Sequence, residues 1–250
     1  METIGFIGLG NLGTAIAQNI QNAGYPMVVY DIREGATKPL LKEGSRLAGA
    51  PDEVASLSDV TFTSLPGPRE VEDVTLGLHG VVNGIKEGGI YVDLSTSRPS
   101  LIRRIGEIFE EKSVKVLDAP VLTSPATAAD RQVVVMPSGD REVYQKLRPL
   151  FDSFADTVVY QGPLGMGSTC KLVNNMITLA VRQVVAEGLT LGVKAGLDLD
   201  SLMEAGNRMV LGHQEEGLRK TVFRGQFDPP SFRQALARKD IGLANGLGRE

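Results

Sequence analysis

Hydrophobic and polar positions divide the chain into two textures. Up to Tyr160, short runs rich in Val and Ile recur at Thr3–Gly8, Met27–Asp31, Val60–Leu65, Gly89–Leu94, Val114–Pro120, Gln132–Pro137 and Thr157–Tyr160. Short, continuously apolar runs predict strands of a sheet buried on both faces. Between most of them the apolar positions follow helical spacing, over Asn11–Ala23, Pro51–Leu57, Arg69–Leu76, Pro99–Lys112 and Arg141–Phe154. Strand–helix–strand alternation predicts an α/β domain with a mainly parallel sheet. Gln161-Gly162-Pro163-Leu164-Gly165 then breaks the pattern, and no further strand is evident. Helical patterns follow at Ser168–Lys194, Asp200–Met209, Gln214–Val222 and Phe232–Gly246. The predicted organisation is an α/β domain over 1–162 and a smaller all-α domain over 163–250, linked by a long helix.

That long helix has an uneven wheel. With Lys171 at zero, Val173, Met176, Ile177, Ala180, Val184 and Leu191 fall between about 140° and 240°. Lys171, Asn175, Thr178 and Arg182 form a narrow polar stripe within about 40° of zero. A mostly apolar helix is expected to be buried, and its Lys and Asn then need polar partners or a cleft. The competing reading is a solvated stripe on a half-exposed helix.

Composition narrows the function classes. The 250 residues carry 26 Lys plus Arg against 30 Asp plus Glu, a net charge of -4, which argues against a nucleic-acid partner. A single cysteine, Cys170, rules out an internal disulfide and suggests a reducing compartment. With His79 and His213 as the only histidines, a Cys/His zinc site is not expected; carboxylate metal sites remain open, and no metal residue is assigned. No uninterrupted apolar run reaches the roughly 18 residues of a membrane span. The N-terminus lacks the basic-then-apolar plan of a secretory signal. The expectation is a soluble, cytoplasmic protein without a membrane partner.

The candidate chemistry begins at Gly8-Leu9-Gly10-Asn11-Leu12-Gly13, between the first strand and the first helix. In that context Gly8 permits the turn, Gly10 admits a pyrophosphate and Gly13 allows close helix–strand packing, with free N–H groups facing the phosphate. Asp31 ends the second strand, where a carboxylate binds the adenosine ribose hydroxyls and repels a 2′-phosphate. NAD is therefore favoured, with NADP possible. Arg33 reads as a solvated loop cation, the alternative being a partner for that phosphate.

Several motifs then coincide. Phe6-Ile7-Gly8-Leu9-Gly10-Asn11-Leu12-Gly13, Ser64-Leu65-Pro66, Val92-Asp93-Leu94-Ser95-Thr96, Asp118-Ala119-Pro120-Val121, Gly165 through Asn175, and Phe232 with Lys239-Asp240 occur in order. In these the chain resembles the β-hydroxyacid dehydrogenases, over nearly its whole length. The resemblance implies a Rossmann-type domain, with the active site in a cleft against the helical domain. It also implies Lys171 as the catalytic residue and Asn175 as the residue that positions substrate. Leu65, Pro66, Thr96 and Lys239 would line the cofactor site, and Asp240 is either an orienting partner or a surface charge. A lysine withdrawn from water has a lowered pKa, which suits proton exchange while the cofactor takes the hydride.

Two departures stand out. Where the family continues with Ser-Gly-Gly, this chain has Leu122-Thr123-Ser124 and then Pro125. A substrate bulkier or less acidic than usual is one consequence, and a repacked loop with free amides is the other. Family members also carry more helix beyond the Lys-Asp element, so the helical domain is expected to be short. The expected activity is reversible hydride transfer between a nicotinamide cofactor and a β-hydroxy acid or related small molecule, in a homodimer or homotetramer. The rivals are a non-catalytic dinucleotide-binding protein and a reductase of another class, such as imines.

Overall fold

The computed structural model describes residues 2–123, 125–207 and 233–249. In chain order the elements are β1 (Ile4–Ile7), α1 (Asn11–Asn22), β2 (Met27–Tyr30), α2 (Glu34–Lys42), β3 (Arg46–Leu47), α3 (Pro51–Ser56), β4 (Val60–Thr63), α4 (Pro68–Leu76), α5 (Val81–Gly84), β5 (Ile90–Asp93) and α6 (Pro99–Glu110). They continue as β6 (Lys115–Asp118), β7 (Val121–Leu122), α7 (Pro125–Ala129), β8 (Val134–Val135), β9 (Ser138–Gly139), α8 (Arg141–Asp152), β10 (Thr157–Val158), α9 (Met166–Lys194), α10 (Leu199–Asn207) and α11 (Gln234–Leu247).

The main sheet runs β3-β2-β1-β4-β5-β6-β9, parallel throughout except for β9, which pairs antiparallel with β6. Each of its five four-residue strands is short and apolar for the reason read from the sequence, because helices cover both faces. On one face Ile16 and Ile20 of α1 and Leu147, Leu150 and Phe151 of α8 pack on Phe6 and Phe62. Phe6 and Phe62 stack at 6.0 Å, and Phe151 and Phe154 meet Phe62 edge-on. On the other face Val54, Val71, Ile105 and Phe109 close over Ile7, Val28 and Tyr91.

Two expected strands sit elsewhere. The runs at Gln132–Pro137 and Thr157–Tyr160 contribute β8 and β10 to a separate three-stranded sheet, β10-β8-β7. Helix α2 was hidden by Gly35 and by Pro39 inside it, residues that normally end a helix.

The chain divides into two compact units, Met1–Leu172 with Leu247–Glu250, and Val173–Gly246. The first unit runs ten residues past the expected boundary at 162 because the opening turn of α9 is bonded to β6 and β9. In the second unit, Val181, Val185 and Leu189 of α9 pack on Leu199, Leu202 and Met203 of α10.

Helix α9 overturns one expectation. The apolar arc that should be buried is exposed, at 42% for Val173, 55% for Ile177, 69% for Val184 and 70% for Leu191. Apolar residues occupy both sides of the helix, so hydrophobic spacing alone could not choose the inner one. Averaged over 18 residues, moreover, its hydropathy of 1.4 makes α9 long and apolar enough to cross a membrane. Searching for uninterrupted runs missed this because Asn174, Asn175 and Thr178 interrupt the stretch.

Candidate active site

The strand order reverses direction between β1 and β4, where a doubly wound sheet opens a crevice at its carboxyl edge. The glycine loop sits there. Gly8 has φ +94°, and a Cβ on it would lie 2.3 Å from the Ser64 carbonyl at the end of β4. A Cβ on Gly13 would lie 2.0 Å from the Gly8 carbonyl, so close packing of α1 on β1 excludes any side chain there. Gly10 is different, since nothing lies within 4 Å of its imagined Cβ. No side chain caps α1, which leaves its first N–H groups without a side-chain acceptor. An uncapped helix start behind an open glycine fits a dinucleotide pyrophosphate.

Asp31 lies at the end of β2. Its carboxylate accepts from the Leu9 amide at 2.7 Å and the Arg33 amide at 2.8 Å. The Arg33 guanidinium adds Nε at 3.1 Å and reaches the Leu9 carbonyl at 3.3 Å. Burial alone would raise the Asp31 pKa, but these bonds prevail and hold it below the usual carboxylate value. Arg33 is thus not a bare loop cation but ties Asp31 to the glycine loop.

The loops after β4 and β5 are braced to each other. The Leu65 amide donates to Ser95 Oγ at 2.9 Å, and the Ser95 amide donates to Asp93 Oδ1 at 3.1 Å. Asp93 also accepts from Thr63 Oγ1 at 2.8 Å. Leu65, exposed Pro66 and half-buried Thr96 are presented by these loops.

Lys171 lies one turn into α9 and is half-buried. Its ammonium donates to the Val121 carbonyl at 2.8 Å. Leu122 and Thr123 follow directly, both half-buried. The Thr123 hydroxyl donates to the Gln132 carbonyl at 2.9 Å and lies 3.1 Å from Thr127 Oγ1. Leu122 has no polar side-chain atom to offer. Beneath Lys171, buried Asp118 accepts from the Ser168 amide at 2.6 Å and the Ser168 hydroxyl at 2.8 Å.

The second unit holds Asn175 and Lys239. Asn175 Nδ2 donates to Asp240 Oδ2 at 2.7 Å, and Lys239 Nζ lies 3.1 Å from Asp240 Oδ1. Asp240 is 3% exposed, so it is not a surface charge. Ser124, His213 and Phe232 lie outside the described residues.

Residues 3–162 match the model of the NAD binding domain of 6-phosphogluconate dehydrogenase. Residues 165–250 match that of the NAD-binding domain of NADP-dependent 3-hydroxyisobutyrate dehydrogenase. The chain belongs to the β-hydroxyacid dehydrogenase family. It is 32% identical to glyoxylate/succinic semialdehyde reductase 2 of Arabidopsis thaliana, over 98% of this chain and 68% of that one. It is 31% identical to 2-(hydroxymethyl)glutarate dehydrogenase of Eubacterium barkeri, over 99% and 82%. The Mycobacterium tuberculosis 3-hydroxyisobutyrate dehydrogenase solved with L-serine superposes with a TM-score of 0.90 at 26% identity, covering 100% of this chain and 87% of that one. This β-hydroxyacid dehydrogenase family member is accordingly an oxidoreductase of the NAD(P)-dependent hydroxyacid dehydrogenase class. Among its residues, sequence reasoning missed Asp118, Ser138 and Ser168. Asp118 was quoted only as the opening of a motif, and its two serine partners lie 20 and 50 residues away.

Proposed function

We propose that this chain oxidises a β-hydroxy acid reversibly, prefers NAD to NADP, and uses Lys171 as its general acid and base. The observation that carries the reading is the half-buried Lys171 ammonium, held 2.8 Å from the Val121 carbonyl at the edge of the Leu122–Thr123 loop. When bound, the nicotinamide accepts or returns the hydride. As the neutral amine Lys171 takes the hydroxyl proton during oxidation, and as the ammonium it gives a proton to the carbonyl oxygen during reduction. The bond to Val121 restricts a long, flexible stem, so the amine is positioned before substrate arrives. Asn175 orients the substrate, and Asp240 fixes Asn175.

Gly8, Gly10, Asn11, Leu12 and Gly13 would hold the pyrophosphate, Asp31 the adenosine ribose, and Leu65, Pro66, Thr96 and Lys239 the nicotinamide half. Arg33 serves Asp31, whose fixed negative charge repels a 2′-phosphate. That supports NAD. On the substrate side, Leu122 is apolar and the Thr123 hydroxyl already bonds Gln132. Both favour a substrate with an apolar substituent, its carboxylate held by backbone amides. The exposed Val184 and Leu191 on α9 support covering by a second copy in a homodimer or homotetramer. We place the protein in the cytoplasm.

A steady-state screen tests this reading. 3-Hydroxyisobutyrate, 2-(hydroxymethyl)glutarate, L-serine, glyoxylate and succinic semialdehyde are each offered with NAD and with NADP cofactors. Turnover of at least one acid, faster with NAD, is expected. NADH binding without turnover of any compound would favour the non-catalytic binder.

A further inference from the structure

Two hydrogen bonds tie α9 to one short segment at the same offset. Asp118 meets Ser168, and Val121 meets Lys171, each pair 50 residues apart. Residues 118–121 therefore run beside the first turn of the lysine helix and hold it at both ends. The contact is close. A Cβ on Gly167 would lie 2.4 Å from the Met136 carbonyl and 2.9 Å from the Asp118 carbonyl. Ser138 joins the same knot, accepting from the Gly167 amide at 3.0 Å and donating to Asp118 at 3.3 Å.

Asp118 is a poor choice if its work is stability alone. It is fully buried, and its register partner on β5 is Asp93, also fully buried. Burying a carboxylate costs several kcal/mol, by about that order, and a second one beside it adds repulsion. Burial is the main reason that its pKa rises to about 7, and Asp93 pushes in the same direction. The Ser168 amide and hydroxyl and the Ser138 hydroxyl oppose the shift. Besides Asp93, the titratable neighbour on β5 is Tyr91, whose burial pushes its phenol well above the usual value and keeps it neutral. Helices α6 and α8 turn Ile102, Ile105, Phe109, Leu147, Leu150 and Phe151 inward, and their charged residues are not buried.

We propose that Asp118 is a positioning residue for catalysis, which holds the start of α9 through Ser168 so that Lys171 is fixed against Val121. The proposal rests on Lys171 being the acid and base. An ionised Asp118 accepts three bonds from Ser168 and Ser138. Once protonated it must donate one itself, and its hold on the helix loosens. Turnover should therefore fall on acidification through neutrality, in a limb that belongs to Asp118.

Asp118→Asn and Ser168→Ala test it, with Lys171→Ala alongside. The full chain is assayed with the screened acid that the wild type turns over fastest. NADH affinity is read by fluorescence titration and kcat as a function of pH. Asp118→Asn should lower kcat about tenfold or more, remove the acid limb near neutrality, and leave NADH affinity within about twofold. Ser168→Ala keeps the carboxylate, its bond from the residue-168 amide and its bond from the Ser138 hydroxyl, and should lower kcat about threefold with NADH affinity intact. It decides the matter if Asp118→Asn fails to fold. Wild-type kcat and pH profile in a folded Asp118→Asn, or an unchanged kcat in Ser168→Ala, with Lys171→Ala inactive, would overturn the positioning role. An active Lys171→Ala would instead overturn the catalytic reading beneath it.

Discussion

Asn175 and Asp240 are joined by a 2.7 Å hydrogen bond across 65 residues of sequence, and the same carboxylate faces Lys239. One buried acid thus sets two side chains that the family pattern names for substrate and cofactor. Asp240→Ala should release both. Breaking such a buried link costs about 1–3 kcal/mol, so a lower thermal midpoint is expected. Michaelis constants for substrate and cofactor should rise together. A rise in only one would separate the two roles.

The glycine loop makes a contrast that a simple turn would not. Gly13→Ala drives a Cβ into the Gly8 carbonyl and should lower the thermal midpoint. Gly10→Ala meets no protein atom, so its midpoint should stay near wild type. Its NADH affinity should nonetheless fall by about tenfold, because the methyl occupies the pyrophosphate approach. Fluorescence titration and thermal melts read both effects on the same samples.

Asp31→Asn removes the charge but keeps an acceptor for the Leu9 amide. The proposed preference for NAD should narrow by about tenfold in kcat/KM, since a neutral amide no longer repels a 2′-phosphate. An unchanged ratio of kcat/KM for the two cofactors would show that Asp31 does not choose between them.

Asp118 also makes a stability prediction whose sign follows from linkage. Its folded pKa, about 7, lies above the ordinary carboxylate value of 3.8. Between those two values the folded chain holds a proton that the unfolded chain has released. Stability is then fully present below the lower value and is lost as pH rises through the upper one. Wild-type protein should therefore lose more of its thermal midpoint from pH 5 to 8 than Asp118→Asn does. Parallel melting curves for the two proteins would contradict this.

Much of this was legible in the chain. The strands β1, β2, β4, β5 and β6 are buried on both faces, so apolar runs marked them with little ambiguity. The roles of Gly8 and Gly13 followed from strand, turn and helix arriving in sequence. What stayed hidden depended on distant partners. Asp118 needs Ser138 and Ser168, and Asp240 needs Asn175, and no local pattern announces such pairs. Helix α2 carries Gly35 and Pro39, which read as breakers until tertiary packing overrides them. The inner face of α9 was unreadable because both of its sides are apolar.

The most direct test of the account is the turnover of Lys171→Ala beside its affinity for NADH. Lys171 is half-buried and donates to the Val121 backbone carbonyl, so its replacement by alanine should leave the fold and the dinucleotide crevice intact. Loss of a positioned general acid and base predicts a kcat lower by about 100-fold or more, with NADH affinity within about twofold of wild type. A variant that binds NADH and turns over at close to the wild-type rate would contradict the assignment of the amine.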